Sequence, residues 1–117
     1  MVDLRLISTS QARDCIKNGE FTQEIIAVKP NVAVVLTQSW CPQWASLKKE
    51  ISHIQDTNIA IWCFIYDMSD IFTDFLVFKE KVLKNDEIPY IRYYRAGKFI
   101  DASNYVDLER FLKKMKG

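Results

Sequence analysis

The sequence is poor in the residues that bind metals or cross-link a chain. Its 117 residues include three cysteines and one histidine. Cys15, Cys41 and Cys63 are widely spaced, so the chain has neither a CxxC pair nor an even number of cysteines. This pattern argues against a disulfide framework and a structural zinc site, which need paired or closely spaced thiols. We therefore expect free thiols, no metal and no bound cofactor.

The sequence also lacks a strong charge of either sign and a long apolar run. With 16 basic and 15 acidic side chains the net charge is +1, so no strong field favours nucleic acid or an anionic membrane. No run approaches the roughly 18 apolar residues that a membrane-spanning helix needs. Residues 1–5 show no charged region followed by an apolar one, the pattern of a secretion signal. We expect a cytoplasmic protein with no nucleic-acid or membrane partner.

No internal repeat, low-complexity tract or linker rich in proline and glycine divides the chain. Apolar residues make up 49% of the sequence, which is ordinary for a folded domain. A chain of this length can build a hydrophobic core without cross-links. The sequence therefore predicts one domain spanning residues 1–117.

Hydrophobic periodicity predicts alternating strands and helices. Two continuous apolar runs, residues 32–36 and 59–66, are typical of strands buried on both faces. Between them, apolar side chains three and four positions apart predict a helix that starts at Pro42 and finishes near residues 56–58. A first strand is predicted with Val2, Leu4 and Leu6 on its buried face, and two short helices follow, the first capped by Ser8 or Ser10 and the second by Thr22. A later helix is predicted to be capped by Ser69 or Asp70. The chain then forms a hairpin that turns at Ala96-Gly97, and a last helix with Leu108, Phe111, Leu112 and Met115 on its apolar face. The order β-α-β-α-β-α-β-β-α indicates an α/β fold.

One cysteine lies at the junction between a buried strand and a helix. Residues 40–44 are Trp40, Cys41, Pro42, Gln43 and Trp44, and Pro42 suits the first helical turn because its missing N–H has no partner there anyway. A helix N-terminus favours the thiolate, which is the form of cysteine that attacks disulfides. The two tryptophans oppose ionisation because they exclude water. The sequence leaves this balance open, and Cys41 is the candidate catalytic residue.

Four features together resemble the thioredoxin-like superfamily over nearly the whole chain. They are the apolar strand leading into Trp40-Cys41, the helix started by proline, the pair Ile88-Pro89 opening a strand, and the closing hairpin and helix. The resemblance implies a thioredoxin-like fold with a central mixed sheet and helices on both faces. It also implies that the Ile88–Pro89 bond is cis and faces Cys41, and that the backbone of Ile88 pairs with an extended substrate. Trp40, Pro42, Ile88 and Pro89 are therefore the candidate substrate-binding residues.

Two departures from the thioredoxin pattern limit the chemistry that the resemblance implies. Thioredoxins carry a second cysteine three residues after the first, and this chain has Trp44 at that position. They also carry a buried aspartate six residues before the first cysteine, and this chain has Val35 there. The resolving thiol and the assisting acid–base group are thus both missing. Monothiol glutaredoxins usually have serine in place of Trp44, and peroxiredoxins have threonine in place of Gln38, so neither pattern fits.

The remaining cysteines and the second tryptophan are predicted to lie in the core. Trp44 lies on the apolar stripe of its helix, and Cys63 lies within a continuous apolar run. We expect Cys15 to be packed as well, and Trp40 to be exposed as part of a binding surface.

Two functions fit these residues, and a third is less favoured. In the first, Cys41 exchanges with protein thiols and disulfides, and an external thiol such as glutathione resolves the mixed disulfide because Trp44 supplies none. The alternative is a non-catalytic module that binds an extended peptide of a partner protein in a groove around Trp40 and Pro89. The third is a structural domain that forms a homodimer through its aromatic surface. The sequence does not determine the oligomeric state.

Overall fold

The computed structural model describes residues 3–116, which form one mixed five-stranded sheet with helices on both faces. The elements are β1 (Asp3–Leu6), α1 (Thr9–Asn18), α2 (Gln23–Ile26), β2 (Asn31–Thr37), α3 (Pro42–Ile51), β3 (Ile59–Ile65), a 3-10 turn (Tyr66–Met68), α4 (Phe72–Lys81), β4 (Tyr90–Arg95), β5 (Lys98–Ser103) and α5 (Leu108–Lys116). The strand order is β1-β3-β2-β4-β5. β1 and β2 run parallel to β3, whereas β4 is antiparallel to β2 and to β5. The predicted α/β architecture is confirmed.

The two continuous apolar runs form the centre of the sheet. β2 and β3 pair in parallel along their whole length, from Asn31 opposite Ile59 to Thr37 opposite Ile65. Almost every residue of both strands is buried. Strands with neighbours on both sides and helices on both faces need apolar side chains at every position, which is why these runs do not alternate.

The sheet separates two hydrophobic cores. The first lies under α1, α2 and α4, and the second lies under α3 and α5. The first core includes Ala12, Cys15, Ile25, Val34, Trp62 and Phe75. The second core includes Val35, Cys41, Trp44, Leu47, Cys63, Tyr93 and Phe111. Alternate residues of each central strand therefore serve opposite cores, as the period of two along a strand requires.

The first strand differs from the prediction in the face that it buries. Within the described part of the chain, β1 lies at the edge of the sheet, next to β3. Leu4 and Leu6 are 37% and 73% exposed, whereas Asp3 and Arg5 are half-buried, so the predicted buried face was wrong. Leu4 and Leu6 lie in register with Ile61 and Cys63 of the second core, but the helices that cover this core do not extend over the sheet edge. The predicted position of Val2 lies outside the described residues.

The first helix begins after Ser8, one of the two caps that the sequence predicts. The hydroxyl of Ser8 accepts a hydrogen bond from the Gln11 N–H at 3.1 Å, and the Gln11 side chain accepts one from the Ser8 N–H at 2.9 Å. This reciprocal pair is a capping box. Gly19, with φ of 82°, ends the helix in the left-handed conformation that glycine adopts most easily.

Two other helix boundaries differ from the prediction. α3 ends at Ile51, so its last predicted turn, to residues 56–58, is not helical. α4 begins at Phe72 after Ile71, and neither Ser69 nor Asp70 caps it. The Ser69 hydroxyl instead accepts a bond from the Ile71 N–H at 3.3 Å, so it closes a turn before the helix. Serine and aspartate stabilise such turns as readily as helix ends, and the sequence does not distinguish the two uses.

A buried cation joins β4 to the segment that follows α1. The Arg92 guanidinium donates to Glu20 at 2.7 Å, to the Tyr94 hydroxyl at 2.8 Å and to the Tyr90 hydroxyl at 3.0 Å. The Tyr94 hydroxyl in turn donates to Glu20 at 2.6 Å, and the guanidinium carbon lies 4.1 Å from the Phe99 ring centre. Burial raises the pKa of the Tyr94 hydroxyl well above its usual value. Every nitrogen of this buried charge has a partner, which is the condition for burying it at tolerable cost.

The helices are short. α1, α3 and α4 have ten residues each. Within residues 3–116 no helix has both the length and the apolar character to cross a membrane.

Candidate thiol site

The residues predicted to form the site gather at one end of the sheet. β2 ends at Thr37, and its preceding residue, Leu36, pairs with Tyr90 at the start of β4. The segment 38–41 and Pro89 therefore leave the sheet at the same end. β3 ends there too, because Ile65 pairs with Thr37. The carboxyl ends of parallel strands are a common place for sites in open α/β sheets.

Cys41 is the residue from which α3 starts. It precedes Pro42, the first helical residue, and its carbonyl accepts the first helical hydrogen bond, from the Ala45 N–H at 3.2 Å. The Cys41 N–H donates to the Gln38 carbonyl at 3.2 Å, which closes a tight turn after β2. The residue is only 5% exposed and packs in the second core. A reagent that reaches its sulfur therefore has to pass the side chains around it.

Trp40 is held in place by hydrogen bonds although it is 66% exposed. Its indole N–H donates to the Gln38 side-chain oxygen at 2.7 Å, and the Gln38 amide nitrogen donates to the Tyr66 hydroxyl at 3.3 Å. Burial raises the pKa of the Tyr66 hydroxyl, so Tyr66 stays a neutral partner at ordinary pH. An exposed indole with fixed orientation presents a large apolar surface at little cost in side-chain entropy.

The backbone before Cys41 is also tied to the turn after β3. Asp67 accepts hydrogen bonds from the Ser39 N–H at 2.8 Å and from the Ser39 hydroxyl at 2.6 Å. The Gln38–Tyr66 and Ser39–Asp67 pairs each join residues 28 positions apart. They fix the loop that carries Trp40 and Cys41 against the end of β3.

Trp44, which stands at the position of the second cysteine of thioredoxins, packs in the second core. It is 5% exposed and packs with Leu47 and Ile51 of its own helix, so the predicted core position is confirmed. Burial raises the pKa of the Cys63 thiol to about 12, and the Lys48 charge and a hydrogen bond from the Trp44 side chain oppose this only in part. Trp44 and Cys63 thus lie in the same core, on the side of the sheet that α3 covers.

Cys15 and Cys63 are free and buried, as predicted. They differ in where they lie relative to Cys41. Cys63 shares the second core with Cys41, whereas Cys15 lies in the first core, on the other side of the sheet. Burial raises the pKa of the Cys15 thiol to about 12; the nearby Glu20 raises it further, whereas Arg92 opposes the rise. Neither buried thiol is ionised at neutral pH, and Cys15 cannot reach Cys41 through the sheet.

The Ile88–Pro89 peptide bond is cis. Pro89 is buried, and Ile88 is half-buried and packs against both cores. Within residues 3–116 the N–H and C=O of Ile88 form no hydrogen bond, whereas the Pro89 carbonyl accepts one from the Asn104 side chain at 3.2 Å. The loop at Pro89 therefore offers one unpaired peptide edge at Ile88.

A buried lysine fixes the segment that leads to Ile88. The Lys79 ammonium is almost fully buried and donates to the Glu87 carbonyl at 2.7 Å and to the Asn85 carbonyl at 3.1 Å. The Asn85 side-chain oxygen accepts bonds from Lys79 at 3.3 Å, from the Glu87 N–H at 3.0 Å and from the Asn104 amide at 3.1 Å. Burial lowers the pKa of Lys79 to about 8, which Glu80, Asp86 and Glu87 oppose. This network joins α4, the loop before Pro89 and the segment after β5.

The sequence did not predict the residues that hold Trp40 and the loop before Pro89 in place. The partners Gln38–Tyr66 and Asn85–Asn104 are distant along the chain, so no local pattern connects them. Lys79 did leave a signal, because it lies four residues after Phe75 on the apolar stripe of α4. A charged residue on a buried helix face requires partners that satisfy it.

Comparison with known proteins identifies the fold. No family model matches the sequence, and no curated protein matches it either. Solved structures do match. Thioredoxin O1 from Arabidopsis thaliana, in its oxidised state, is 13% identical with a TM-score of 0.67, over 97% of this chain and 96% of that one. Fasciola hepatica thioredoxin is 11% identical with a TM-score of 0.63, over 96% of each chain.

A third match comes from Halobacterium salinarum. A mutant thioredoxin from this organism is 9% identical with a TM-score of 0.65, over 98% of this chain and 88% of that one. The chain is thus an α/β protein built on a mixed sheet between two helical layers. More particularly, it has the thioredoxin-like fold, and the resemblance read from the sequence is confirmed at that level.

Proposed function

We propose that this protein takes part in thiol–disulfide exchange through a single cysteine, Cys41. The observation that carries the proposal is the position of Cys41 at the start of α3, at the sheet end where Ile88 leaves its N–H and C=O unpaired. A peptide that pairs with Ile88 as an extended strand would bring its own sulfur towards Cys41. The thioredoxin-like fold supports the same reading.

The proposed reaction has two exchange steps. The Cys41 thiolate attacks one sulfur of a disulfide R–S–S–R′, forms the mixed disulfide Cys41–S–S–R, and releases R′ as a thiolate. An external thiolate, such as glutathione, then attacks the sulfur of R, restores the Cys41 thiolate, and leaves as a mixed disulfide with R. Because Trp44 replaces the resolving cysteine, the second step depends on the concentration of external thiol.

We further propose that residues 1–117 act as one domain in the cytoplasm. Glutathione keeps thiols reduced there and would supply the second step. Trp40 and Pro42 flank Cys41 in the chain, and together with Ile88 and Pro89 they would form the surface that receives a partner protein.

Intact-mass analysis after incubation with glutathione disulfide tests this proposal. We expect one glutathionyl group per chain, mapped to Cys41 by peptide analysis, and none on the Cys41→Ser variant. Cys15 and Cys63 serve as internal controls because the pKa of each thiol is raised to about 12, so neither is a thiolate at neutral pH. An unmodified protein, or an adduct on Cys15 or Cys63 alone, would contradict the proposal.

A second candidate function is a binding module without thiol chemistry. The observation that favours it is the contrast between Cys41, which is 5% exposed, and Trp40, which is 66% exposed and fixed by Gln38. Here the Trp40 surface and the groove at Pro89 bind an extended peptide, and Cys41 acts only as a packed residue.

Selection from a random peptide library displayed on phage separates the two functions. A binding module retains its selected peptides in the Cys41→Ser variant and loses them in Trp40→Ala. Retention of the peptides by Trp40→Ala, with loss in Cys41→Ser, would reject the binding module and favour the exchange reaction.

A further inference from the structure

Among residues 3–116, no strand pairs with the outer edge of β1. The Ile7 N–H donates to the Cys63 carbonyl of β3 at 2.9 Å. Because backbone groups of a strand point alternately to either side, Asp3 and Arg5 also direct theirs towards β3. The N–H and C=O groups of Leu4 and Leu6 therefore point outward, away from the sheet.

The side chains beside this edge are apolar and exposed. Leu6 is 73% exposed and Met68 is 75% exposed, and both line a shallow cavity of about 350 Å³ next to the ends of β1 and β3. Natural edge strands usually carry lysine, proline or a bulge that prevents pairing with another chain. Residues 3–6 contain no lysine, proline or bulge, and their two charged side chains, Asp3 and Arg5, form an ion pair at 2.6 Å within the strand, on the face opposite Leu4 and Leu6. The edge is thus open to another strand.

We propose that this edge binds a second copy of the chain, with the two β1 strands antiparallel about a two-fold axis at Leu4. The outward backbone groups of Leu4 then pair with those of Leu4 in the second copy. Asp3 of each copy lies directly opposite Arg5 of the other. In an antiparallel ladder, directly opposed residues alternate between hydrogen-bonded and non-hydrogen-bonded pairs, and the side chains are closer in the second kind. Asp3 and Arg5 form a pair of the second kind. Both ion pairs lie on one face and both Leu4 side chains on the other.

Charge selects this register among those that the backbone allows. Shifting the axis to Arg5 would pair the same outward groups, Leu4 with Leu6, but would place the two Arg5 side chains opposite each other. Like charges in directly opposed positions destabilise a strand pair, and opposite charges stabilise it. The sequence of β1 is therefore complementary to itself in one register only. The product is a continuous sheet of two five-stranded halves.

The interface is small, so we expect a weak dimer. Specific stable interfaces bury about 1,200–2,000 Å² in total, and two four-residue strands with their leucines cover less. Sedimentation equilibrium on the full chain, from about 10 µM to about 1 mM, spans the range in which an interface of this size associates. We expect reversible dimerisation, and protection of the Leu4 amide from hydrogen exchange as the concentration rises.

Charge-reversal variants test the register. Asp3→Arg and Arg5→Asp each place like charges opposite in both pairs, and each should weaken dimerisation about tenfold or more. An equimolar mixture of the two variants should dimerise again, because every arginine then faces an aspartate. The double swap Asp3→Arg/Arg5→Asp should dimerise by itself. Recovery in the mixture cannot come from loss of folding in either variant.

Ile100→Ser is the matched control, because Ile100 is 41% exposed on β5 at the opposite edge of the sheet. It should leave the dissociation constant unchanged. A monomer at every concentration would overturn the proposal. The proposal would also be overturned if neither charge reversal changed the dissociation constant, or if Ile100→Ser raised it.

Discussion

The two buried thiols make the stability of this protein sensitive to alkaline pH. The pKa of Cys15 and that of Cys63 are each raised from 9.0 to about 12, chiefly by burial. Each thiol therefore contributes stability that is fully present below pH 9 and is lost as the pH rises from about 9 to about 12. Replacing either cysteine with alanine removes that contribution together with its pH dependence.

The size of the effect follows from the pKa values. Between pH 9 and 10 each cysteine is mostly ionised in the unfolded chain and still protonated in the folded one. One proton per thiol corresponds to about 1.4 kcal/mol per pH unit, so each thiol loses about 1.4 kcal/mol of stability between pH 8 and pH 10. The free-energy cost of the small cavity left by alanine is the same at both pH values and cancels in the comparison.

Urea titrations at pH 8 and pH 10, followed by tryptophan fluorescence with a reductant present, measure this difference. We expect Cys15→Ala and Cys63→Ala each to lose less stability than the wild type on going to pH 10, by about 1.4 kcal/mol. The double variant should differ by about 3 kcal/mol, because the residues lie in different cores and distant effects add. A gap between variant and wild type that stays constant with pH would refute the reasoning.

Three further changes test other parts of the structure. Lys79 has a pKa lowered to about 8, so its own contribution to the free energy of unfolding rises with pH between about 8 and 10.5 and opposes the loss from the two thiols; Lys79→Met should therefore lose more stability than the wild type between pH 8 and pH 10. Arg92→Met removes the charged partner of the Glu20 carboxylate and leaves it the Tyr94 hydroxyl, and it should lower the unfolding free energy by about 3 kcal/mol, whereas a loss below about 1 kcal/mol would mean that the ion pair contributes little. In thermal melts Gly97→Ala should be more destabilising than Gly19→Ala. Both glycines have positive φ, but only at Gly97 would an added Cβ meet another side chain, at 2.5 Å, and equal losses would contradict this.

The parts of the fold that could be predicted are those decided by local patterns. The apolar runs of β2 and β3 predicted central strands because burial on both faces leaves no polar position. The start of α1 could be predicted to lie at Ser8 or Ser10, and Ser8 is the cap, because a cap acts within a few positions. At the site, the strand–cysteine–proline order was enough to place Cys41 at the start of α3.

The remaining features depend on partners that are distant in the sequence. Alternation in β1 predicted that Leu4 and Leu6 would be buried, but coverage depends on how far the helices extend over the sheet edge. The hydrogen bonds that fix Trp40 and the loop before Pro89 come from Tyr66 and Asn104, and no local pattern indicates either. Local periodicity can show which face of an element is apolar, but not which neighbour covers it.

The division of the thiols by the sheet has a consequence for any adduct on Cys41. Cys15 lies on the other side of the sheet from Cys41, and Cys63 lies in the same core as Cys41 but has a thiol pKa that burial raises to about 12. Neither thiol supplies a thiolate at neutral pH to displace a group bound to Cys41, so removal of that group depends on a thiol from a small molecule or another protein. The lifetime of the modified protein would therefore depend on the concentration of external thiols, and the modified fraction would remain high for as long as that concentration is low.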